Sequence, residues 1–273
     1  MPELPEVETV RRALELELSG RRITGVRGRS IAMRRPLEVE KLAAVLPGLE
    51  LATPRRRGKY LLIDLVPQGA LLNHLGMSGR LTITGAGAPL LPHTHLTIEL
   101  DDGRELRFVD PRRFGFMQWL EPGAEEVDPS LSALGIEPLD PGLEEKLPPL
   151  LKARRAPVKS LLLDQHLVAG VGNIYAVEAL WRAGIRPARP GSRTSIDRLT
   201  RLAFEVRSVL AEAVEQGGTT IRDYASPEGN FGYFAIQLAA YGRQGQPCLR
   251  CGGALRADVI GGRTTAWCPA CQR

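Results

Sequence analysis

Hydrophobic and polar residues follow two different periods along the chain, and the period changes near residue 150. Apolar residues between positions 5 and 18 recur at helical spacing, and a Ser-Gly pair ends that stretch. Short apolar or alternating runs follow, two of them joined by an Asp-Gly turn. The runs that predict strands are 60–65, 71–74, 80–84, 95–100, 105–109 and 116–120. This pattern predicts an antiparallel β-sandwich with one leading helix.

Helical spacing dominates the second half of the chain. Helices are predicted over 158–163, 174–183 and 197–216. Before them lies a stretch rich in proline and acidic residues, which predicts a connector with short helical pieces such as 129–134. A glycine-, threonine- and serine-rich stretch at 217–232 predicts a loop.

The predicted fold class is therefore α+β with two domains, an N-terminal antiparallel β-sandwich and a C-terminal helical domain that ends in a cysteine-bearing hairpin. The predicted parts are a β-sandwich domain at 1–120, an acidic Pro-rich connector at 121–149, a helical domain at 150–235 and a hairpin at 236–273.

Charge is distributed unevenly, although the net value is only +5. Residues 1–120 carry +4, residues 121–150 carry −7 and residues 151–273 carry +8. Two basic parts flanking an acidic connector favour a polyanionic partner over ordinary surface charge. No apolar run approaches the ~18 residues of a membrane span, so we expect a cytoplasmic protein that does not contact membranes.

The four cysteines all lie in the last 26 residues, as Cys248-x-x-Cys251 and Cys268-x-x-Cys271. Two such pairs separated by 16 residues are typical of a zinc ribbon, in which each pair binds the metal from a tight turn. Four thiolates complete a tetrahedral shell, so one structural zinc ion is expected. Iron is the alternative metal. Disulfides would require an oxidising compartment, and the first residues lack the pattern of a signal peptide.

Six further blocks are distributed over the whole chain. They are Met1-Pro-Glu-Leu-Pro-Glu-Val-Glu-Thr9, Arg57-Gly-Lys-Tyr-Leu-Leu62, Asn73-His-Leu-Gly-Met-Ser-Gly79, Asp110-Pro-Arg-Arg-Phe-Gly115, Gly170-Val-Gly-Asn-Ile-Tyr-Ala176 and Gly262-Arg-Thr-Thr265. In this order, and with the four cysteines, they resemble bacterial formamidopyrimidine-DNA glycosylases. The resemblance implies a bilobed base-excision repair enzyme that excises oxidised purines, such as 8-oxoguanine and formamidopyrimidines, from damaged double-stranded DNA. It also implies strand cleavage by β,δ-elimination, a helix–two-turns–helix module and a monomer that needs no protein partner.

Pro2 is the expected nucleophile of this reaction. Removal of Met1 would free a secondary amine, which can attack C1′ of a nucleotide, release the base and form a Schiff base with the sugar. An α-amino group has a pKa of about 8, against about 10.4 for lysine, so it is more often neutral near pH 7. A proline that merely permits removal of Met1 is the alternative interpretation.

Four other residues are expected to act in catalysis. The resemblance gives Glu3 the role of proton donor to the opening sugar, makes Glu6 essential to the site, and places Lys59 at the phosphate beside the lesion. It assigns Arg263 the proton transfer of the second elimination. The alternatives are a first helical turn stabilised by Glu3 and Glu6 and a solvated charge at Lys59. For Arg263 the alternative is an arginine at a hairpin tip that contacts phosphate and does no chemistry.

Three residues are expected to fill the space left by an everted nucleotide. Met77, Arg112 and Phe114 match the inserted trio of the family, in which apolar side chains replace stacking and arginine bonds the orphaned base. Core packing is the alternative for Met77 and Phe114. Both lie in glycine-containing turns, which favours exposure.

Contacts to DNA phosphates are predicted for a further set of residues. Asn173 opens a helix after a glycine-rich turn, where backbone amides suit a phosphate. The other candidates in the second half of the chain belong to a basic run just before this turn. The resemblance implies two further contacts, made by histidines. The remaining members of the set are Arg155, Lys159, His93 and His74, whereas His95 is interpreted as structural and His166 is left unassigned.

Two other functions are compatible with parts of the sequence. An endonuclease VIII-type glycosylase for oxidised pyrimidines usually begins Pro-Glu-Gly-Pro, whereas this chain reads Pro2-Glu3-Leu4-Pro5. A non-catalytic zinc DNA-binding protein would not require Pro2 or Lys59. The chain departs from the family at His166 and at Phe234-Ala-Ile, and neither departure touches the expected chemistry. The loop 219–233 is hard to align with the family, which makes lesion preference harder to predict than activity.

Overall fold

The computed structural model describes residues 1–217 and 238–273. These residues form two compact units. Unit 1 contains Met1–Pro2 and residues 6–132, and unit 2 contains Glu3–Pro5 and residues 133–217 and 238–273. The chain therefore passes between units inside the acidic segment predicted as a connector. The predicted loop 219–233, the departure at 234–236 and the predicted boundary at 235–236 lie outside the described residues.

Unit 1 is built on eight antiparallel strands, and α1 (Leu4–Leu18) packs against them. The strands are β1 (Arg21–Gly28), β2 (Glu50–Arg57), β3 (Tyr60–Val66), β4 (Ala70–His74), β5 (Arg80–Gly85), β6 (Thr94–Leu100), β7 (Arg104–Val109) and β8 (Phe116–Leu120). Their hydrogen-bonded order is β5-β7-β6-β1-β2-β3-β4-β8. Three short helices, α2 (Val39–Val45), α3 (Ala124–Val127) and α4 (Pro129–Ser132), complete the unit.

Strand β1 joins two halves of this sheet. Its first residues, Arg21 and Arg22, pair with β2, whereas the register from Ile23 to Gly28 pairs with β6. The apolar core contains side chains from both halves, together with Val7, Val10 and other residues of α1. Two sheet halves that share one core form the predicted sandwich.

Unit 2 is mainly helical. Its helices are α5 (Leu143–Lys152), α6 (Val158–Leu163), α7 (Asn173–Ala183) and α8 (Ile196–Glu215), and their inward faces form one core. A two-stranded hairpin, β9 (Arg256–Ile260) and β10 (Arg263–Trp267), follows. The predicted α+β class, with a helical region and a cysteine-bearing hairpin, is confirmed.

Helix α5 falls where the sequence predicts connector and contains Pro148 and Pro149. Proline lacks the backbone N–H of a helical hydrogen bond, so the pair disfavours a helix. Leu143, Leu147 and Leu151, spaced four residues apart, are nevertheless fully buried in the core of unit 2. Burial of this apolar stripe outweighs the missing hydrogen bonds, which the local sequence pattern did not predict.

Among the described residues, no helix combines the length and apolar character needed to cross a membrane.

Candidate active site and metal centre

In unit 2, Glu3 lies at the N-terminal end of α7. Its side chain is only 4% exposed, and its carboxylate accepts hydrogen bonds from the backbone N–H groups of Ile174 (2.9 Å) and Tyr175 (3.4 Å). Amides of a first helical turn have no acceptor within the helix, and the helix dipole favours an anion there. The backbone N–H of Leu4 also donates to the Gly170 carbonyl at 3.0 Å. The residue after Pro2 is therefore fixed to α7.

Asn173, the first residue of α7, joins this helix to the hairpin. Its Nδ2 donates to the Thr264 carbonyl at 3.1 Å. Arg263 precedes Thr264 and is exposed at the start of β10, directly after Gly261 and Gly262. Both glycines have positive φ (60° and 69°), as a two-residue hairpin turn of this kind requires. Glu3, Asn173 and the start of β10 thus form one cluster.

Lys159 belongs to the same cluster but is fully buried. Its Nζ donates to Thr265 Oγ1 (2.6 Å) and lies 3.3 and 3.4 Å from the carbonyls of Ile260 and Arg263. Burial, reinforced by the charge of Arg263 and opposed by that of Glu3, lowers the pKa of Lys159 to about 8. Its ammonium is thus engaged by the hairpin, which differs from the direct phosphate contact expected from the sequence.

Unit 2 also contains Arg155, which is a predicted phosphate contact, and His166, to which the sequence assigns no role. Arg155 is exposed in the segment before α6. His166 has its Nδ1 2.8 Å from the Ala133 carbonyl, a contact that links two loops of the unit.

In unit 1, the predicted catalytic residues Pro2, Glu6 and Lys59 are all buried. Lys59 is 7% exposed although it lies in the turn between β2 and β3. Lysine is seldom buried, so this position is atypical of a solvated turn residue.

His74 is surrounded by cations. Burial first, and then the charges of Arg34, Lys59 and Arg35, lower its pKa to about 3, so the imidazole is neutral at physiological pH. Its Nδ1 accepts the backbone N–H of Gly76 at 2.9 Å, which leaves the proton on Nε2. Sequence reasoning did not select Arg34 and Arg35. The adjacent pair of arginines before Pro36 was the available signal.

Met77, Arg112 and Phe114, here called the wedge residues, occupy loops at one end of unit 1. Met77 is 40% exposed and Phe114 is 46% exposed, so core packing does not explain them. The Arg112 guanidinium carbon lies 4.8 Å from the centre of the Phe114 ring. The loops between β4 and β5 and between β7 and β8 therefore present two apolar side chains and one cation together.

The two remaining histidines lie on either side of Thr94. His93 is exposed with a left-handed φ of 67°, and its carbonyl accepts the backbone N–H of Asp110 at 3.1 Å. His95 is buried, with Nε2 2.8 Å from the Asp110 carbonyl. The arrangement agrees with a structural role for His95.

The four cysteines of unit 2 converge. Their Sγ atoms all lie within 4.8 Å of one another, with 4.0 Å between Cys248 and Cys271 and 3.5 Å between Cys251 and Cys268. Disulfide sulfurs would be about 2.05 Å apart. Sulfurs bound to one tetrahedral zinc at about 2.3 Å are about 3.8 Å apart, which matches these distances. Burial opposes ionisation of Cys248, yet hydrogen bonds from the backbone of Arg250 and Cys251 lower its pKa to about 6.

Models of known protein families match three parts of the chain. The N-terminal domain of formamidopyrimidine-DNA glycosylase matches residues 1–117, and the H2TH domain of the same enzyme matches residues 134–225. A zinc finger found in FPG and IleRS matches residues 245–273.

Relatives and solved structures match the chain over its whole length. Formamidopyrimidine-DNA glycosylases of Stenotrophomonas maltophilia and Xanthomonas campestris pv. campestris are 50% and 48% identical, over 100% of each chain. The crystal structure of MutM (Fpg) from Thermus thermophilus is 41% identical, with a TM-score of 0.87 over 99% of this chain and 98% of that one. Lactococcus lactis Fpg in complex with abasic-site DNA is 32% identical, with a TM-score of 0.88 over 99% of both chains. The chain therefore belongs to the formamidopyrimidine-DNA glycosylase family of DNA repair enzymes, which combine glycosylase and abasic-site lyase activities.

Proposed function

We propose that the chain excises oxidised purines, including 8-oxoguanine and formamidopyrimidines, from duplex DNA and cleaves the strand by β,δ-elimination. The observation that carries this proposal is the cluster at the start of α7. Glu3, Asn173 and the start of β10 come from three distant parts of the sequence and are joined by hydrogen bonds. The substrate class is supported by related proteins that were crystallised with DNA containing N7-benzyl-Fapy-dG or carbocyclic 8-oxo-G.

Pro2, after removal of Met1, is the proposed nucleophile. Its secondary amine bonds to C1′, the bond between C1′ and the base nitrogen breaks, and the base takes the electron pair. The Glu3 carboxylate takes the proton that the amine loses and delivers it to the sugar oxygen O4′ as the bond between C1′ and O4′ breaks, which leaves an iminium between Pro2 and C1′. Loss of a proton from C2′ then expels the 3′-phosphate, and a second elimination expels the 5′-phosphate.

Charged residues around this reaction have separate proposed roles. Lys59 binds the phosphate beside the lesion, Glu6 is required within the site, and Arg263 transfers a proton in the second elimination. The burial of Lys59 supports a specific role in the site, because burying a charged side chain costs free energy and a lysine that only carries a solvated surface charge would stay exposed. Lys159 acts by holding the hairpin that carries Arg263.

Eversion of the damaged nucleotide is assigned to the wedge residues, since a base inside a duplex is inaccessible to Pro2. Their exposure supports insertion into the stack. Phosphate contacts are proposed for Asn173, Arg155, His93 and His74. The partner is damaged double-stranded DNA, and the chain acts as a monomer without a protein partner.

One zinc ion is proposed at the four cysteines, where it would be structural because four thiolates leave no open coordination position. The distances between the sulfurs support this metal. Metal analysis should give about one zinc per chain.

Borohydride reduction in the presence of an 8-oxoguanine duplex tests the mechanism. Reduction converts the iminium to a stable amine, so we expect a covalent adduct whose peptide map places DNA on Pro2. A variant that retains a residue ahead of Pro2 should form no adduct. Full activity of material acylated at the Pro2 nitrogen would exclude the proposal. Faster release of thymine glycol than of 8-oxoguanine would instead favour the alternative substrate class, oxidised pyrimidines.

A further inference from the structure

Asp110 lies behind the two loops that carry the wedge residues. Its side chain is fully buried in unit 1. Oδ1 accepts hydrogen bonds from Ser78 Oγ (2.6 Å) and from the backbone N–H of Arg112 (3.2 Å). Oδ2 accepts the backbone N–H of Gly115 at 2.8 Å. One carboxylate therefore bonds both loops, because Ser78 follows Met77 while Arg112 and Gly115 flank Phe114.

Ser78 strengthens this link from the other side. Its Oγ also accepts the backbone N–H of Arg112, at 3.2 Å. Ser78, Asp110 and Arg112 thus form a closed set of three hydrogen bonds. Such a set fixes relative position better than any one of its members does.

The loops are also in direct contact. A Cβ on Gly76 would lie 2.3 Å from the carbonyl carbon of Phe114, and a Cβ on Gly115 would lie 2.6 Å from the His74 carbonyl oxygen. Neither position has room for a side chain. The absence of side chains lets the backbones meet close to Asp110.

The backbone of Asp110 is itself fixed to strand β6 and its preceding loop. Its N–H donates to the His93 carbonyl at 3.1 Å, and its carbonyl lies 2.8 Å from His95 Nε2. A carboxylate that is anchored to the sheet and bonded to both loops can hold the loops at a constant separation.

We propose that Asp110 is a positioning residue for nucleotide eversion, which couples the two loops so that the wedge residues enter DNA as one rigid body. This inference rests on the proposed function of the wedge residues. A surface that is ordered before binding loses less conformational entropy when it binds. Because Asp110 has no exposed surface, it acts through the wedge residues and does not contact the DNA. Its effect is confined to the step in which a base leaves the duplex.

The substitution Asp110→Asn tests the coupling with little change in volume. An amide can still accept from Ser78, but its NH2 group then faces the Gly115 N–H, and two donors oppose each other. We expect single-turnover release of 8-oxoguanine from duplex DNA to slow roughly 10–100-fold. Cleavage of a single-stranded oligonucleotide with an abasic site should be unchanged, since no base has to be everted. Asp101→Asn, at an exposed position beside the turn after β6, is the matched control and should leave both rates unchanged.

A second variant and a second measurement separate positioning from folding. Ser78→Ala keeps the bond between Asp110 and Gly115 and removes the link to the Met77 loop, so a loss of roughly 3–10-fold is expected, again on duplex lesions alone. The fluorescence of 2-aminopurine placed beside the lesion rises when the stack opens. Its rise should slow in both variants by the same factor as base release.

Equal losses on duplex and single-stranded substrates, or no loss in either variant, would overturn the role of Asp110. If the unsubstituted chain formed no borohydride adduct, the proposed function would fail as well. If the unsubstituted chain forms the adduct while the Asp110→Asn variant loses both activities equally, only the proposed role of Asp110 is excluded. The proposed function is then unaffected.

Discussion

The carboxyl carbon of Glu3 lies where a side chain on residue 172 would begin. A Cβ on Gly172 would be 2.2 Å from Glu3 Cδ. The φ of Gly172 is −130°, which any residue adopts, so glycine is required here for space and not for backbone conformation. The empty volume lets the Glu3 carboxylate reach the first amides of α7.

Gly172→Ala should therefore displace Glu3 from α7. We expect the free energy of unfolding of the protein to fall by about 1–3 kcal/mol, because the methyl group overfills the site and the Ile174 amide loses its acceptor. Trapping by borohydride should fall at least roughly tenfold, since Glu3 directly follows Pro2. Urea unfolding and adduct yield measure the two effects. Gly85→Ala, at a position with no atom within 4 Å of the added carbon, should alter neither value.

Strongly periodic segments of the sequence predicted their elements well, whereas long-range polar contacts were not predictable. Strand β8 and helix α6 have the predicted bounds. Strand β2 was missed because Pro54 and a run of arginines conceal its pattern, and α5 was missed because of its two prolines. Candidate site residues came from motifs, but the partner of Lys159 is Thr265, 106 residues away. No local sequence pattern predicts such a pairing. The hydrogen bond between Ser78 and Asp110, which are 32 residues apart, was not predictable for the same reason.

Lys159 gives a prediction about pH. Its pKa of about 8 in the folded chain lies below the ~10.4 of an unfolded chain, so the unfolded state binds more protons between these values. The free energy of unfolding, relative to Lys159→Met, should therefore rise from pH 8 to 10.4 by an amount on the order of 1–3 kcal/mol. Below pH 7 the difference should be constant. Lys159→Arg, which does not titrate in this range, should show no such rise. A fall with rising pH would show that burial does not govern this ammonium.

Zinc removal should affect the hairpin selectively. In the proposed arrangement one zinc ion holds the four converging cysteines together, so its removal frees the thiols, and the two short strands β9 and β10 are not stable alone. We expect a chelator to release about one zinc per chain, to speed amide exchange at 256–267 and to weaken DNA binding at least roughly tenfold, because metal binding is coupled to local folding. Exchange at 60–66, within the core of unit 1, should remain slow. Equal acceleration in both segments would contradict a local structural role for the metal.

Arg263→Ala should separate the two eliminations. The carbonyl of Arg263 accepts a hydrogen bond from Thr265 Oγ1 at 2.9 Å and another from Lys159 Nζ at 3.4 Å. These contacts to the backbone fix this end of the hairpin, whatever the side chain at position 263. Removal of the guanidinium should therefore leave the hairpin intact and slow the second elimination more than base release. Gel separation of β- and δ-elimination products measures the ratio, which we expect to shift at least roughly tenfold toward the β product. Arg256→Ala, an exposed cation on β9 that pairs with Trp267 at the opposite end of the hairpin, should not change the ratio. Equal losses in base release and both eliminations would mean that Arg263 contributes binding and not proton transfer.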